Sequence, residues 1–97
     1  MDMTFELNGT TFVWDSKKAH SNLAKHEVSF EAAATAFFDP FFRLEDASDN
    51  DEVRDALIGF DAYQRLLYVV NIQIEESGIR IISARKATRE ERRRYDQ

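Results

Sequence analysis

Arginine crowds one end of this chain. Residues 79–97 carry Arg80, Arg85, Lys86, Arg89, Arg92, Arg93 and Arg94 against Glu90, Glu91 and Asp96. That is seven positive charges minus three negative, or +4, in a protein of 97 residues with formal net charge -5. Residues 1–78 then hold six positive and fifteen negative charges, or -9. A guanidinium is a planar fork of N–H donors that matches a phosphate with two parallel hydrogen bonds. The plainest reading of Arg92, Arg93 and Arg94 is a solvated helix end, where cations suit the macrodipole. Arg85 and Arg54 are different, because each extends an otherwise apolar row at the end of a strand. A guanidinium there must be paired or must serve a ligand. Glu52, two residues before Arg54, is a partner for either. An internal ion pair and a phosphate-binding arginine cluster at one end of a sheet are both open on residues alone.

Lys25 ends the first of two expected helices and His26 stands between them, in "KHEVSF". A histidine there is a structural hydrogen-bonder or a proton carrier, since imidazole ordinarily titrates near neutral pH. Glu52 suits the role of arginine orienter better than proton carrier, because a neighbouring guanidinium favours the ionised carboxylate. Other chemistries lack their residues. His20 and His26 are six apart, off the helical spacing of metal ligands. The acidic run at 45–52 does not fit a calcium loop, whose Gly and final Glu positions hold Asp51 and Leu57. No Gly-rich phosphate loop or G-x-S-x-G occurs, and the absence of cysteine removes thiolate zinc and cysteine nucleophiles. No metal or cofactor is expected.

One domain must position these side chains. Its 43% hydrophobic content suffices for a single core, and its charges are mixed in sign. No apolar run approaches the ~20 residues of a membrane span. The start "MDMTFELNGT" lacks the pattern of a signal peptide, so a cytoplasmic location is expected. The acidic remainder argues against broad, sequence-independent binding of nucleic acid.

Asn8-Gly9 between "TFEL" and "TTFVW" predicts a hairpin, or at least a strand ending at Trp14. Asp15 caps a helix over 16–25, whose slight apolar content (Ala19, Leu23, Ala24) places it on the surface. Phe30, Ala33, Ala34, Phe37 and Phe38 form one apolar face of a second helix ending at Asp39-Pro40. "FFRLE" reads as a strand. Three more follow, with Ala56, Ile58 and Phe60 on one face of the first. The next has Leu66, Tyr68, Val70, Ile72 and Ile74 inward, with Asn71 and Gln73 outward. In the last, Ile79, Ile81, Ser83 and Arg85 share a face. Thr88 and Glu91 fit a capping box for a final helix. The expected fold class is α+β: a small antiparallel sheet with two N-terminal helices and a C-terminal helix.

The run "FVWDSKKAHSNLAKHEVSFEAA", then Asp39-Pro40, Glu52-x-Arg54 and "IRIISARKATREERRRY", together resemble the BrnT family of type II toxins over about Phe12–Tyr95. One position departs from that pattern: Glu27 stands where the family commonly has Gly. The resemblance implies a RelE-like fold and a ribonuclease that inhibits translation. It also implies a BrnA-type antitoxin as partner, with operator DNA reached only through that complex, and is compatible with a homodimer inside it. Carried over by position, Arg54, Arg85 and Arg89 are site candidates, with Lys25, His26, Glu52 and Ser83 beside them. Lys86 adds a further cation for phosphate. The implied chemistry needs no metal: the substrate's 2′-OH attacks the adjacent phosphorus while Arg85 and Arg54 stabilise the phosphorane. The alternatives are a non-catalytic nucleic-acid binder and an inactive homologue that acts through its antitoxin.

Overall fold

The computed structural model describes all residues, Met1–Gln97. Asn8 and Gly9 make the first turn, with φ of 49° and 82°. Both angles are positive, as a two-residue hairpin turn requires. The turn joins β1 (Asp2–Leu7) to β2 (Thr10–Asp15), antiparallel in register from Leu7↔Thr10 to Asp2↔Asp15. Asp15 then caps α1 (Ser16–His26), its carboxylate accepting the Lys18 N–H at 3.0 Å. Ser29 does the same for α2 (Phe30–Thr35) through the Ala32 N–H, also at 3.0 Å. A 3-10 turn over Ala36–Phe38 leads to β3 (Arg43–Asp46), β4 (Asp55–Phe60), β5 (Leu66–Ile74), β6 (Gly78–Lys86) and α3 (Arg89–Tyr95). No helix is long and apolar enough to cross a membrane.

The six strands form one sheet in the order β1-β2-β6-β5-β4-β3. The α+β class holds, with two corrections. Strands rather than helices come first, and the hairpin joins the sheet. The sheet is mixed, not antiparallel, because β2 lies parallel to β6 at Phe12↔Ile79 and Val13↔Arg80. Gly78 makes that junction feasible. It has φ 108°, and a Cβ there would sit 2.1 Å from the Thr11 carbonyl oxygen. Any side chain would push β2 off the edge of β6.

The two faces of the sheet were misread by simple alternation. Leu67 and Val69, not Leu66 and Tyr68, enter the main core with Phe12, Trp14, Val28, Phe30, Ala33, Ala34 and Leu57. Asn71, expected outward, is 1% exposed. The reason is that β5 opens Leu66-Leu67-Tyr68-Val69-Val70, apolar on both phases, with Leu66 and Leu67 both buried, so period two does not choose between the faces there. In β6 a bulge breaks the alternation. Val70 pairs with Ser83 but Asn71 pairs with Ile81, leaving Ile82 unopposed. Ile79, Ile81 and Ala84 therefore share the core, and Arg85 does not continue the row of Ile79 and Ile81. Burying each of the large core side chains contributes about 1.5–3 kcal/mol. The aromatic members meet edge-on, Trp14 to Phe30 at 5.7 Å and Phe12 to Phe37 at 5.2 Å between ring centroids.

α1 docks by polar contact rather than an apolar stripe. Leu23 is 48% exposed, whereas Asn22 is 7% exposed. β2 leaves the edge of β6 after Arg80, and Asn22 takes its place. Its Oδ1 accepts the Ala84 N–H at 3.1 Å, and its Nδ2 donates to the Ala84 carbonyl at 2.8 Å and the Val28 carbonyl at 3.0 Å. One side chain thereby satisfies three buried backbone groups. Asn22→Ala should lower stability by about 3 kcal/mol, read as a drop in urea midpoint. An unchanged midpoint would show that Asn22 does not hold the helix. α1 ends at Glu27, which has φ 58° and ψ 30° and donates its N–H to the Leu23 carbonyl. That left-handed cap favours glycine. Glu27→Gly should raise stability by about 1 kcal/mol in the same titration; a loss would mean the side chain matters more than the backbone strain.

Candidate nucleic-acid interface

α1 and β6 enclose a groove of about 330 Å³ lined by Lys17, Lys18, Ser21, Asn22, Lys25, His26, Ile82 and Ser83. The helical repeat puts Lys18, Ser21, Lys25 and their neighbours on one side. The Asn22 anchor turns that side toward β6, and the bulge displaces Ile82 and Ser83 there. No carboxylate lines the groove, although the protein is acidic overall. Lys17, Lys18 and Lys25 have no ion-pair partner in the fold, in contrast to most of the arginines. Of the residues singled out from sequence, the groove brings together Lys25, His26 and Ser83. Lys17, Lys18 and Ser21 were missed, although "SKKAHSNLAKH" read at helical spacing puts Lys18 and Lys25 two turns apart on one line.

The arginines are largely committed elsewhere. Arg85 makes a two-pronged pair with Glu91, Nη1 to Oε1 and Nη2 to Oε2, both at 2.8 Å. Its guanidinium carbon lies 4.4 Å from the centroid of the Tyr68 ring. Glu91 Oε1 also accepts the Thr88 N–H at 2.9 Å, completing the expected capping box. The same carboxylate thus caps α3 and ties it to β6. Burial works against ionising Glu91, but the hydrogen bonds from Arg85 and Thr88 outweigh it and hold the carboxyl below the usual range. The hydrogen bonds to Glu91 in turn raise the pKa of Arg85.

Arg54 donates from Nε to Glu52 Oε1 at 2.6 Å, in the turn before β4. The structure does not bring Arg54 and Arg85 onto one phosphate. β4 and β6 run in the same direction on either side of β5, so the start of one and the end of the other lie at opposite ends of the sheet. Arg85 is level with Tyr68 and Ile58, four residues past Arg54. The separation is roughly 13 Å along the strands and two strand spacings, roughly 10 Å, across.

On α3, Arg93 pairs with Glu90 at 2.6 Å, Arg94 pairs with Glu45, and Arg92 lies over the Phe60 ring. Tyr95 donates its hydroxyl to Asp39 Oδ2 at 2.6 Å and meets Phe60 edge-on. Burial, then Asp39, pushes the Tyr95 pKa up to about 12. Arg89 and Lys86, at the junction of β6 and α3, are exposed and make no ion pair.

Arg85→Ala would strand the Glu91 carboxylate, whose side chain is only 9% exposed. Arg85 is itself 35% exposed, so solvent screens part of the pair. The substitution should cost about 2 kcal/mol by chemical denaturation; a neutral result would show the pair to be inconsequential. Because the folded pKa of Glu91 is depressed, its contribution is complete above the ordinary carboxyl pKa of about 4.3 and is lost as pH falls through the lower folded value. Wild-type stability should therefore fall below about pH 4.3 more steeply than that of Glu91→Gln. Parallel curves would remove Glu91 from the acid transition.

A comparison with curated proteins finds no match to this chain. The model of one protein family does match, over residues 14–91, and is described as the ribonuclease toxin BrnT of type II toxin-antitoxin systems. The matched span runs from Trp14 at the end of β2, through the whole of α1 and the groove-lining part of β6, to the Glu91 cap of α3. With most of its length, its basic groove and its α3 anchor inside that span, the chain belongs to the BrnT family of ribonuclease toxins.

Proposed function

We propose that this protein is an endoribonuclease toxin whose active site lies in the α1–β6 groove. The carrying observation is the groove's lining: lysines, a histidine and two serines, with no carboxylate. Such a lining attracts an RNA backbone and offers no carboxylate to anchor a divalent cation. The reaction is a metal-independent transesterification. His26 accepts the proton of the 2′-OH as its oxygen bonds to phosphorus. The P–O5′ bond breaks, and the Lys25 ammonium donates a proton to the departing 5′-oxygen. The products are a 2′,3′-cyclic phosphate and a 5′-OH, and both side chains regain their starting state by exchange with water. Cations and the Ser83 hydroxyl stabilise the phosphorane oxygens more than the ground-state phosphate.

Arg89 and Lys86 are free to add phosphate contacts. Arg85 reaches substrate only by exchanging Glu91 for a phosphate, an anion of the same two-oxygen geometry. Arg54, oriented by Glu52, would contact RNA only where a strand extends to the other end of the sheet. On this reading the sheet and its helices are a RelE-like scaffold. The toxin inhibits translation in the cytoplasm, and a BrnA-type antitoxin neutralises it and carries the complex to operator DNA. Family membership supports the ribonuclease role and an antitoxin partner; a dimer of toxins within the complex belongs to the same proposal.

The test is incubation of purified protein with defined RNA in EDTA, followed by end-group analysis. Cyclic-phosphate ends should appear. His26→Ala and Lys25→Ala, folded as judged by melting, should each lose about 10² to 10⁴ in rate. No cleavage by folded wild type would favour the non-catalytic or inactive readings. Cleavage at full rate by both variants would move the site to the arginines.

A further inference from the structure

The proposed chemistry uses one end of the groove, His26, Lys25 and Ser83. Lys17 and Lys18 line the other end and have no role in it. Lys18 and Lys25 are seven residues apart on α1, which separates them by about 10 Å along the axis and by only about 20° around it. Consecutive phosphates lie about 6–7 Å apart along the backbone, farther than their ~3.4 Å rise along a helix axis, so a straight row of about 10 Å corresponds to one to two nucleotides.

The surroundings give the track a direction. Asp15, nearest to Lys17 and Lys18 in the chain, is occupied by the Lys18 N–H and by the N-terminal ammonium at 3.3 Å. These contacts hold its carboxyl below the usual range. Glu27 stands exposed just beyond His26, and its negative charge opposes a phosphate on that side.

We propose that Lys17 and Lys18 form a distal phosphate subsite, so that the groove holds one RNA strand from the scissile phosphate at His26 to a backbone phosphate one to two nucleotides away. The inference rests on the reading that the His26 end holds the scissile phosphate. It adds a minimum substrate length. The ligand is single-stranded, because the groove is one helix-strand cleft and the basic line is a single row.

The test uses fluorescein-labelled 2′-O-methyl oligonucleotides, which bind but lack the attacking hydroxyl. Affinity of a dinucleotide and a heptanucleotide is measured by polarisation across a series of KCl concentrations, for wild type and Lys17→Ala/Lys18→Ala. For the heptanucleotide, the double variant should bind about tenfold more weakly at low salt, and its log–log salt slope should fall by about 0.7, the share of the one phosphate no longer neutralised. Dinucleotide affinity should move by less than twofold, since the dinucleotide cannot span the groove. An unchanged heptanucleotide slope would overturn the subsite. Cleavage by wild type that still depends on His26 would, in that case, leave the ribonuclease reading standing. Retained RNA affinity with lost affinity for a polyglutamate peptide would overturn the subsite too, and assign the lysines to an acidic protein partner.

Discussion

Everything at the groove depends on how the open edge of β6 is satisfied. β2 pairs with β6 over two residue pairs and then turns into α1. From there on, a buried strand edge needs partners for its N–H and carbonyl groups. Asn22 supplies them by presenting an amide that imitates the missing strand. Since the same side chain reaches the Val28 carbonyl, it also fixes the turn between α1 and α2. A helix with almost no apolar stripe is thus held on the sheet at a defined height and rotation. Its basic side is thereby left facing the bulge at Ile82.

The charges divide by residue type. Guanidiniums go into structure: Arg85 to Glu91, Arg54 to Glu52, Arg65 to the buried Asp61, Arg80 to Asp2, Arg94 to Glu45. Their forked geometry rewards fixed, two-pronged pairing. The lysines remain solvated and unpaired, and three of them collect on α1. The excess of arginine in residues 79–97 therefore goes largely into ion pairs within the fold. The pairing holds α3 against the sheet through Glu91, Glu45 and the Tyr95–Asp39 bond.

Much of the local architecture was legible beforehand because it rests on short-range rules. The Asn8-Gly9 turn, the Asp15 cap and the Thr88–Glu91 capping box each follow from a few adjacent residues. The pair Glu52–Arg54 was one of two alternatives, and the fold selected it over Glu52–Arg85. The inner face of β5 was not legible. Alternation marks a face only when the other one is polar, and the first five residues of β5, Leu66 to Val70, are apolar on both phases. The bulge in β6 was hidden for a similar reason: Ile79 to Ile82 are apolar on both phases, save for Arg80, so a slipped residue leaves no trace in the pattern.

The sequence by itself determined the elements, their caps and, through "WD", "KH", "ExR" and "ISARKAT", the family. It also carried Lys25, His26 and Ser83 as separate candidates. Only the tertiary structure decided that these three line one groove, that Lys17 and Lys18 join them, and that Arg54 and Arg85 stand at opposite ends of the sheet. The physical reason is range. Caps and turns are settled by bonds between residues three or four apart. The groove is shaped by one amide in α1 bonding a strand 62 residues away, and by a parallel pairing that no local pattern encodes.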